Sequence, residues 1–484
     1  MSELKVLFAT SEMAPLIKTG GLADVSGALP AALRALGVDV RVLLPGYTPV
    51  LAQMSQHEVV ATFDDLPGFP PARLLVGDTA TDVPLLVLDC PELYQRAGGP
   101  YQDTGGHDWA DNARRFALLS RVAAILASGE SPLPWRVDIL HCNDWQTGLA
   151  PAHLNLWHSG TPSVMTIHNM AFQGVFSAHT LEDLHLPPSS FGIDGVEYYG
   201  NLSFLKAGLY YADHITTVSP NYANEIQYEA LGFGLQGLLT QRSEDLTGIL
   251  NGIDTEEWNP ADDDYLAKTY STARMTGKAA NKQALQQRMG LSVDADVPLL
   301  GVISRFTYQK GLDLLLEIAP RLVELPVQLV MLGSGEAGMQ DAARALAVRY
   351  PGRIAAHIGY SEALSHQIEA GADMFVMPSR FEPCGLNQLY SQRYGTPPIV
   401  HATGGLADSV TDCTAETLKD GSASGFVFSG MTADNLYATI LRAVGVYRDE
   451  KQWKALRKNC MGKDFSWQRS AEAYIDVYRK VLER

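Results

Sequence analysis

Short apolar runs rich in Val, Ile and Leu alternate along this chain with longer segments whose apolar positions recur at helical spacing. A strand buried on both faces loses the in-and-out alternation of a half-exposed one, so this pattern predicts parallel sheets covered by helices on either side. In the first half the predicted strands are 5–10, 38–44, 83–90, 137–142, 163–168 and 214–218, with helices near 23–36, 112–127 and 202–211. The second half repeats the alternation with strands at 298–304, 327–332, 354–358, 374–377 and 398–400. Between the halves, 251–264 (NGIDTEEWNPADDD) has the Gly, Pro and acidic content of a linker. A helical stretch over 433–459 precedes a last helix in 464–484, with Phe465, Trp467, Tyr474, Val477 and Tyr478 available for burial.

Length supports two units. A chain of 484 residues exceeds the roughly 250–300 residues that one core organises. We therefore expect an N-terminal domain over 1–250, a C-terminal domain over 251–463, and a C-terminal helix over 464–484 that crosses back to the first domain. A ligand cleft between two such domains is expected.

Charge narrows the partners. Lys and Arg number 37 against 54 Asp and Glu, a net charge of −17, which repels nucleic acid and anionic membranes over most of the surface. A neutral polysaccharide feels no such repulsion, whereas an anionic substrate needs basic residues focused in one place. Five scattered cysteines without a C-x-x-C pair suit a reducing cytosol and argue against structural zinc. The start lacks a basic n-region and an apolar h-region, and no run of about 18 apolar residues occurs, so a cytoplasmic protein is expected.

The candidate chemistry sits where strands end. KTGGLADV places Lys18, Gly20, Gly21 and Asp24 between the first strand and a helix, where bare backbone N–H groups can approach a diphosphate. The hexapeptide TGGLAD recurs at 403–408, bringing Thr403, Gly404 and Gly405 to a similar junction in the second half. In SRFTYQKGLDLL, Arg305 and Lys310 follow a buried strand; a planar guanidinium and a compact ammonium together can offset charge on a departing diphosphate without a metal. SRFEPCGLNQLY puts Glu382 in the loop after another apolar strand, where its carboxylate can accept from sugar hydroxyls and the amides of Gly385 and Leu386 can face phosphate. The bland alternative is a helix-start Glu favoured by the macrodipole. His168 and Asp144 also lie at strand ends; taken singly, a satisfied structural His and a helix N-cap are the commoner roles. GSGEAG and GFGLQG match G-x-G-x-x-G, but neither follows the first strand and 43 glycines make such matches easy, so no dinucleotide cofactor is expected. The acidic run 262–264 reads as a solvated hinge, not a metal motif.

KTGGLADV, HCNDWQTG, TIHNMAFQG, FLKAGLYYADHITTVSP, LNGID, SRFTYQKGLDL, IGYSEALSH, PSRFEPCGLNQLY, TGGLADSV and FSW, in order from 18 to 467, resemble bacterial glycogen synthases and plant starch synthases. The resemblance implies an α/β chain of two Rossmann-like domains facing a deep cleft, the GT-B arrangement. It also implies metal-free transfer of glucose from ADP-glucose to the non-reducing end of an α-1,4-glucan, with retention of configuration and no cofactor. By matching positions, Glu382, His168, Arg305 and Lys310 would be catalytic. Lys18, Gly20, Gly21, Asp24, Asn251, Tyr360, Cys384, Gly385, Leu386, Thr403, Gly404 and Gly405 would bind the donor, with Tyr360 stacked on adenine and Cys384 and Leu386 acting mainly through backbone. Asp144 and Tyr101 would lie on the acceptor side. His401 and Ala402 depart from the family pattern, which commonly has an arginine there; the change is expected to touch the inter-domain wall more than the donor contacts. A glucan phosphorylase, which needs a pyridoxal phosphate lysine and a longer chain, and a non-catalytic glucan-binding protein remain as alternatives.

Overall fold

The computed structural model describes residues 4–79 and 81–484, and the chain divides into two compact units. The first comprises Met1–Ile249 with Trp467–Arg484, the second Leu250–Ser466.

The first unit carries β1 (Lys5–Ala9), β2 (Asp39–Pro45), β3 (Ser55–Phe63), β4 (Ala72–Asp78), β5 (Leu85–Asp89), β6 (Ile139–Asn143), β7 (Ser163–Ile167), β8 (Val175–Ser177), β9 (Glu197–Tyr198), β10 (Asn201–Ser203), β11 (His214–Thr217) and β12 (Leu246–Gly248). Nine of them form one sheet in the order β12-β11-β7-β6-β1-β2-β5-β4-β3. The run from β12 to β5 is parallel and its predicted strands are present, whereas β4 and β3 add an antiparallel edge. That hairpin is absent from the sequence reading because β3 is exposed along most of its length and so lacks an apolar run. A small antiparallel sheet, β8-β10-β9, stands apart. The last helix, Trp467–Leu482, buries Trp467, Tyr474, Val477 and Tyr478 and packs on the helix Gly21–Ala35 of the same unit. Its Tyr478 hydroxyl meets Nδ1 of buried His141 at 2.7 Å.

The second unit carries β13 (Leu299–Ile303), β14 (Gln328–Gly333), β15 (Ile354–Ile358), β16 (Met374–Met377), β17 (Pro398–His401) and β18 (Phe426–Phe428), ordered β15-β14-β13-β16-β17-β18 and parallel throughout. Side chains alternate across it as a pleated strand requires: Leu300, Val302, Met374 and Val376 enter the core under the helices Leu312–Leu322 and Ala433–Tyr447, while Leu299, Phe375 and Met377 join Leu364 and Ile368 on the other face. Counted along the chain, the strand order is third, second, first, fourth, fifth, sixth. This is the doubly wound order whose reversal, between β13 and β16, opens a crevice at the carboxyl ends of the strands.

The helical stretch 433–459 is made of two helices, Ala433–Tyr447 and Glu450–Met461, the second capped by the Asp449 side chain, which accepts from the Gln452 N–H. One expectation is corrected. The presumed linker 251–264 contributes to the core of the second unit. Trp258 is stacked between His366 and Tyr390, with ring centroids 4.0 and 3.8 Å away. Asp263 is buried and accepts from His366 Nδ1 at 2.8 Å and Tyr394 Oη at 2.5 Å, so of the acidic run only the exposed Asp262 and Asp264 fit a solvated segment.

Candidate active site

A cavity of about 220 Å³ lies at the strand-order reversal of the second unit, where Ile303 ends β13 and Met377 ends β16. Arg305, Lys310, Glu382, Gly385 and Leu386 line it. Gly311 lets the chain turn there: at φ +67° it follows Lys310 and starts the helix Leu312–Leu322, and a Cβ on it would lie 1.8 Å from the Pro378 carbonyl. Lys310 Nζ donates to Glu382 Oε2 at 2.5 Å, and the same oxygen accepts from Ser379 Oγ at 3.0 Å. Arg305 is exposed and, among the described residues, has no ion-pair partner and only a long Nη2 bond to Gln309 Oε1 at 3.4 Å, so most of its fork is open to a ligand. Two cations against one carboxylate leave the cavity positive in a chain of net charge −17, the local focusing that an anionic donor requires.

The second TGGLAD copy holds the Glu382 loop from behind. Gly405 donates to the carbonyls of Glu382 and Pro383 at 3.0 and 3.2 Å. Gly404 sits at φ +43° with its Cα so close that a Cβ would fall 1.9 Å from the Glu382 carbonyl. Cys384 is buried beneath this contact, its thiol pushed up to about 12 by burial and facing the Asn251 N–H. Asn251, Cys384, Thr403, Gly404 and Gly405 thus pack as a supporting layer and do not line the cavity. Tyr360 does not line it either; it is 80% exposed beyond β15. Ser379 was missed by sequence reasoning, as was the bidentate Arg380–Asp313 pair at 2.7 Å that ties the same loop to the helix Leu312–Leu322. His401, at the end of β17, donates from Nδ1 to the Ser379 carbonyl at 3.0 Å. The departure from the family pattern therefore bears on the Glu382 loop.

In the first unit the candidates gather at the ends of β1, β6 and β7. Asp144 follows β6 at φ +54°, a conformation costly for a residue with a side chain. Its side chain makes no cap bond; Oδ1 instead accepts from the His168 N–H at 2.7 Å, pinning the turn after β7. Burial raises its carboxyl to about 7. His168 Nε2 meets Asn143 Oδ1 at 3.0 Å. Since Asn143 Nδ2 donates to the Ala9 carbonyl, Oδ1 must accept and Nε2 carries the proton, which leaves Nδ1 an acceptor. Burial pushes the imidazole down to about 3, so His168 is neutral at physiological pH.

After β1, the Thr19 and Gly20 N–H groups donate to Glu12 Oε2 at 2.5 and 3.2 Å, and Lys18 pairs with Asp24 at 2.6 Å. The helix N-terminus read as a diphosphate cradle thus already faces an internal carboxylate. Glu12 was missed; its only signal was an acid directly after a buried strand. Its other oxygen accepts from the Tyr101 hydroxyl at 2.7 Å, which also meets Ser11 Oγ. Burial raises the Glu12 carboxyl despite these bonds. Gly20 and Gly21 have open space where a Cβ would stand.

The family described as starch synthase catalytic domain matches residues 5–241, and that described as glycosyl transferases group 1 matches 286–459. A glycogen synthase of Nitrosomonas eutropha is 58% identical, the match covering 99% of this chain and 97% of the relative; one of Dechloromonas aromatica is 56% identical over 100% and 99%. This chain belongs to the glycogen and starch synthase family. The catalytic domain of starch synthase IV from Arabidopsis thaliana, solved bound to ADP and acarbose, superposes with a TM-score of 0.85 at 33% identity and full coverage of both chains. A sucrose-phosphate synthase from Thermosynechococcus elongatus, at 16% identity and a TM-score of 0.58, shares the fold. The glycogen synthase family assignment makes the chain a glycosyltransferase enzyme with two Rossmann-like α/β domains of the GT-B class. Among the described residues no helix is long and apolar enough to cross a membrane.

Proposed function

We propose that this chain is a cytoplasmic glycogen synthase that moves glucose from ADP-glucose to the non-reducing end of an α-1,4-glucan with retention of configuration. The observation that carries this reading is the positive cavity at the strand-order reversal of the second unit, where Arg305, Lys310 and Glu382 converge. As the glycosidic bond to the diphosphate breaks, positive charge grows on the sugar carbon and negative charge on the leaving oxygen. Arg305 and Lys310 stabilise the leaving group, which is worth more in a site that excludes water. Glu382 holds Lys310 in place before the donor arrives and then accepts from glucose hydroxyls, with the Gly385 and Leu386 amides beside the phosphates. The other family positions carry supporting roles: Tyr360 offers an exposed ring for the adenine, His168 a neutral hydrogen-bonding edge at the reacting centre, and Asp144 and Tyr101 an acceptor side. Lys18, Gly20, Gly21 and Asp24 form a loop whose internal bonds to Glu12 would exchange when the donor binds.

Nucleotide release from ADP-glucose and from UDP-glucose, each with and without glycogen, tests the reading on the wild type and on Glu382→Ala. We expect glycogen-dependent release from ADP-glucose that is lost in the variant. Release from neither donor would favour a non-catalytic glucan-binding protein, and preference for UDP-glucose would overturn the choice of donor.

A further inference from the structure

Beside the Trp258 stack, three side chains that can ligate a metal converge within the second unit. One ligand atom from each of Glu257, Glu362 and His366 lies within 4.8 Å of the other two. None of the three lines the cavity that holds Arg305 and Lys310. Glu362 and His366 are one turn apart on the helix Glu362–Gly371, so their side chains share a face. Glu257 comes from the loop after Asp254, whose carboxylate accepts from the Glu257 N–H at 3.0 Å and so fixes the turn.

Acidic groups near a histidine are common; the state of His366 sets this cluster apart. His366 is 1% exposed. Its Nδ1 meets Asp263 Oδ2 at 2.8 Å, an oxygen that also accepts from the Tyr394 hydroxyl. A carboxylate only accepts, so Nδ1 carries the proton, and in the neutral ring Nε2 keeps its lone pair. Nε2 is buried and has no hydrogen-bond partner among the described residues; Glu362 Oε1 stands 3.4 Å away without a hydrogen bond. Leaving a buried acceptor unpaired is costly, and a cation between Nε2 and the two carboxylates removes that cost while offsetting their mutual repulsion. A carboxylate on the far nitrogen is the usual support of a metal-bound imidazole, since it fixes the tautomer and raises the basicity of the ligating nitrogen. Stacking on Trp258, with ring centroids 4.0 Å and planes 12° apart, holds the ring in place.

One imidazole and two carboxylates suit zinc better than magnesium or calcium, which favour oxygen ligands throughout. Ligand atoms of a tetrahedral zinc ion, with bonds of about 2.0–2.2 Å, are roughly 3.3 Å apart. Rotation of the two glutamates, one exposed and one half-buried, closes the present spacing, and water takes the fourth position.

We propose that Glu257, Glu362 and His366, with Asp263 behind the imidazole, form a zinc site that clamps the loop carrying Glu257 and Trp258 to the start of the helix Glu362–Gly371. Glu362 follows Tyr360 by two residues, so the ion also anchors the loop bearing that exposed ring. The ion is structural, and the proposal does not depend on the chain being a transferase.

Zinc titration of the full chain after dialysis against a chelator, read by calorimetry and by melting temperature, tests the site. We expect one zinc ion per chain and a melting temperature that rises with zinc concentration, with magnesium giving neither effect. Glu257→Gln and Glu362→Gln should each bind zinc at least tenfold more weakly and lose most of that rise. Circular dichroism without zinc checks that both fold, and the exposed position of Glu257 keeps the test decisive should Glu362→Gln fold poorly. His107→Ala removes an exposed histidine beside Asp103, a place where zinc can collect adventitiously, and should bind as the wild type does. No zinc bound by the wild type, an equal response to magnesium, wild-type affinity in either folded glutamine variant, or loss of binding in His107→Ala would overturn the site.

Discussion

Asp144 combines a left-handed backbone with a carboxyl that burial holds near 7, against an ordinary value of 3.8. The folded state therefore keeps its proton where the unfolded chain has lost it. The stability this contributes is present below about pH 4 and is lost as pH rises through 7. Asp144→Asn cannot ionise and can still accept from the His168 N–H. Its unfolding free energy relative to wild type should rise between pH 4 and 8, by an amount on the order of a few kcal/mol at most, seen as a pH-dependent gap in melting temperature; a constant difference across that range would contradict the burial. For Lys310→Ala we expect turnover to fall by roughly 10²-fold with little change in glycogen KM; unchanged turnover would remove Lys310 from the catalytic set. Strand-end residues such as Arg305, Lys310, Glu382 and Asp144 were legible because apolar runs mark where strands stop. Glu12 and Ser379 were not, since each acts across a loop on a residue that only folding brings near.

Elements differ in how clearly composition announces them. The parallel strands are buried on both faces and stand out as apolar runs. The edge strand β3 is mostly exposed and offers no such contrast. In 251–264 the polar majority hid a single Trp that fills a slot between His366 and Tyr390. We expect Trp258→Ala to cost about 3–5 kcal/mol in urea unfolding; a change within about 0.5 kcal/mol would restore the linker reading. The last helix was legible from its aromatic spacing, its anchor to His141 was not. Tyr478→Phe leaves His141 Nδ1 buried without its partner, and should cost about 1–3 kcal/mol, measured as a drop in melting temperature at neutral pH.

At the scale of the whole molecule, the net charge of −17 makes local cation placement decisive for an anionic donor, and the Arg305–Lys310 cavity supplies it. Buried histidines set the acid limit. His141, His153 and His168 are each held down to about 3 by burial, below an ordinary 6.5. The unfolded chain takes up protons that the folded chain refuses, so stability is lost as pH falls from 6.5 towards 3. Three such groups outweigh the opposing trend of Asp144, and the melting temperature should fall steadily over that window; a flat profile would contradict it. The two-unit organisation was legible from length and from the repeated alternation, and the family from ordered motifs spanning nearly the whole chain.

In the proposed reaction glucose passes from ADP-glucose to the ends of glucan chains. The most direct measurement follows radiolabelled glucose from ADP-glucose into glycogen and then treats the product with an exo-acting β-amylase. We expect label incorporated by the wild type, absent with Glu382→Ala, and released by the amylase as labelled maltose. Label recovered as free glucose, or left in the polymer after exo-digestion, would contradict transfer to non-reducing α-1,4 ends.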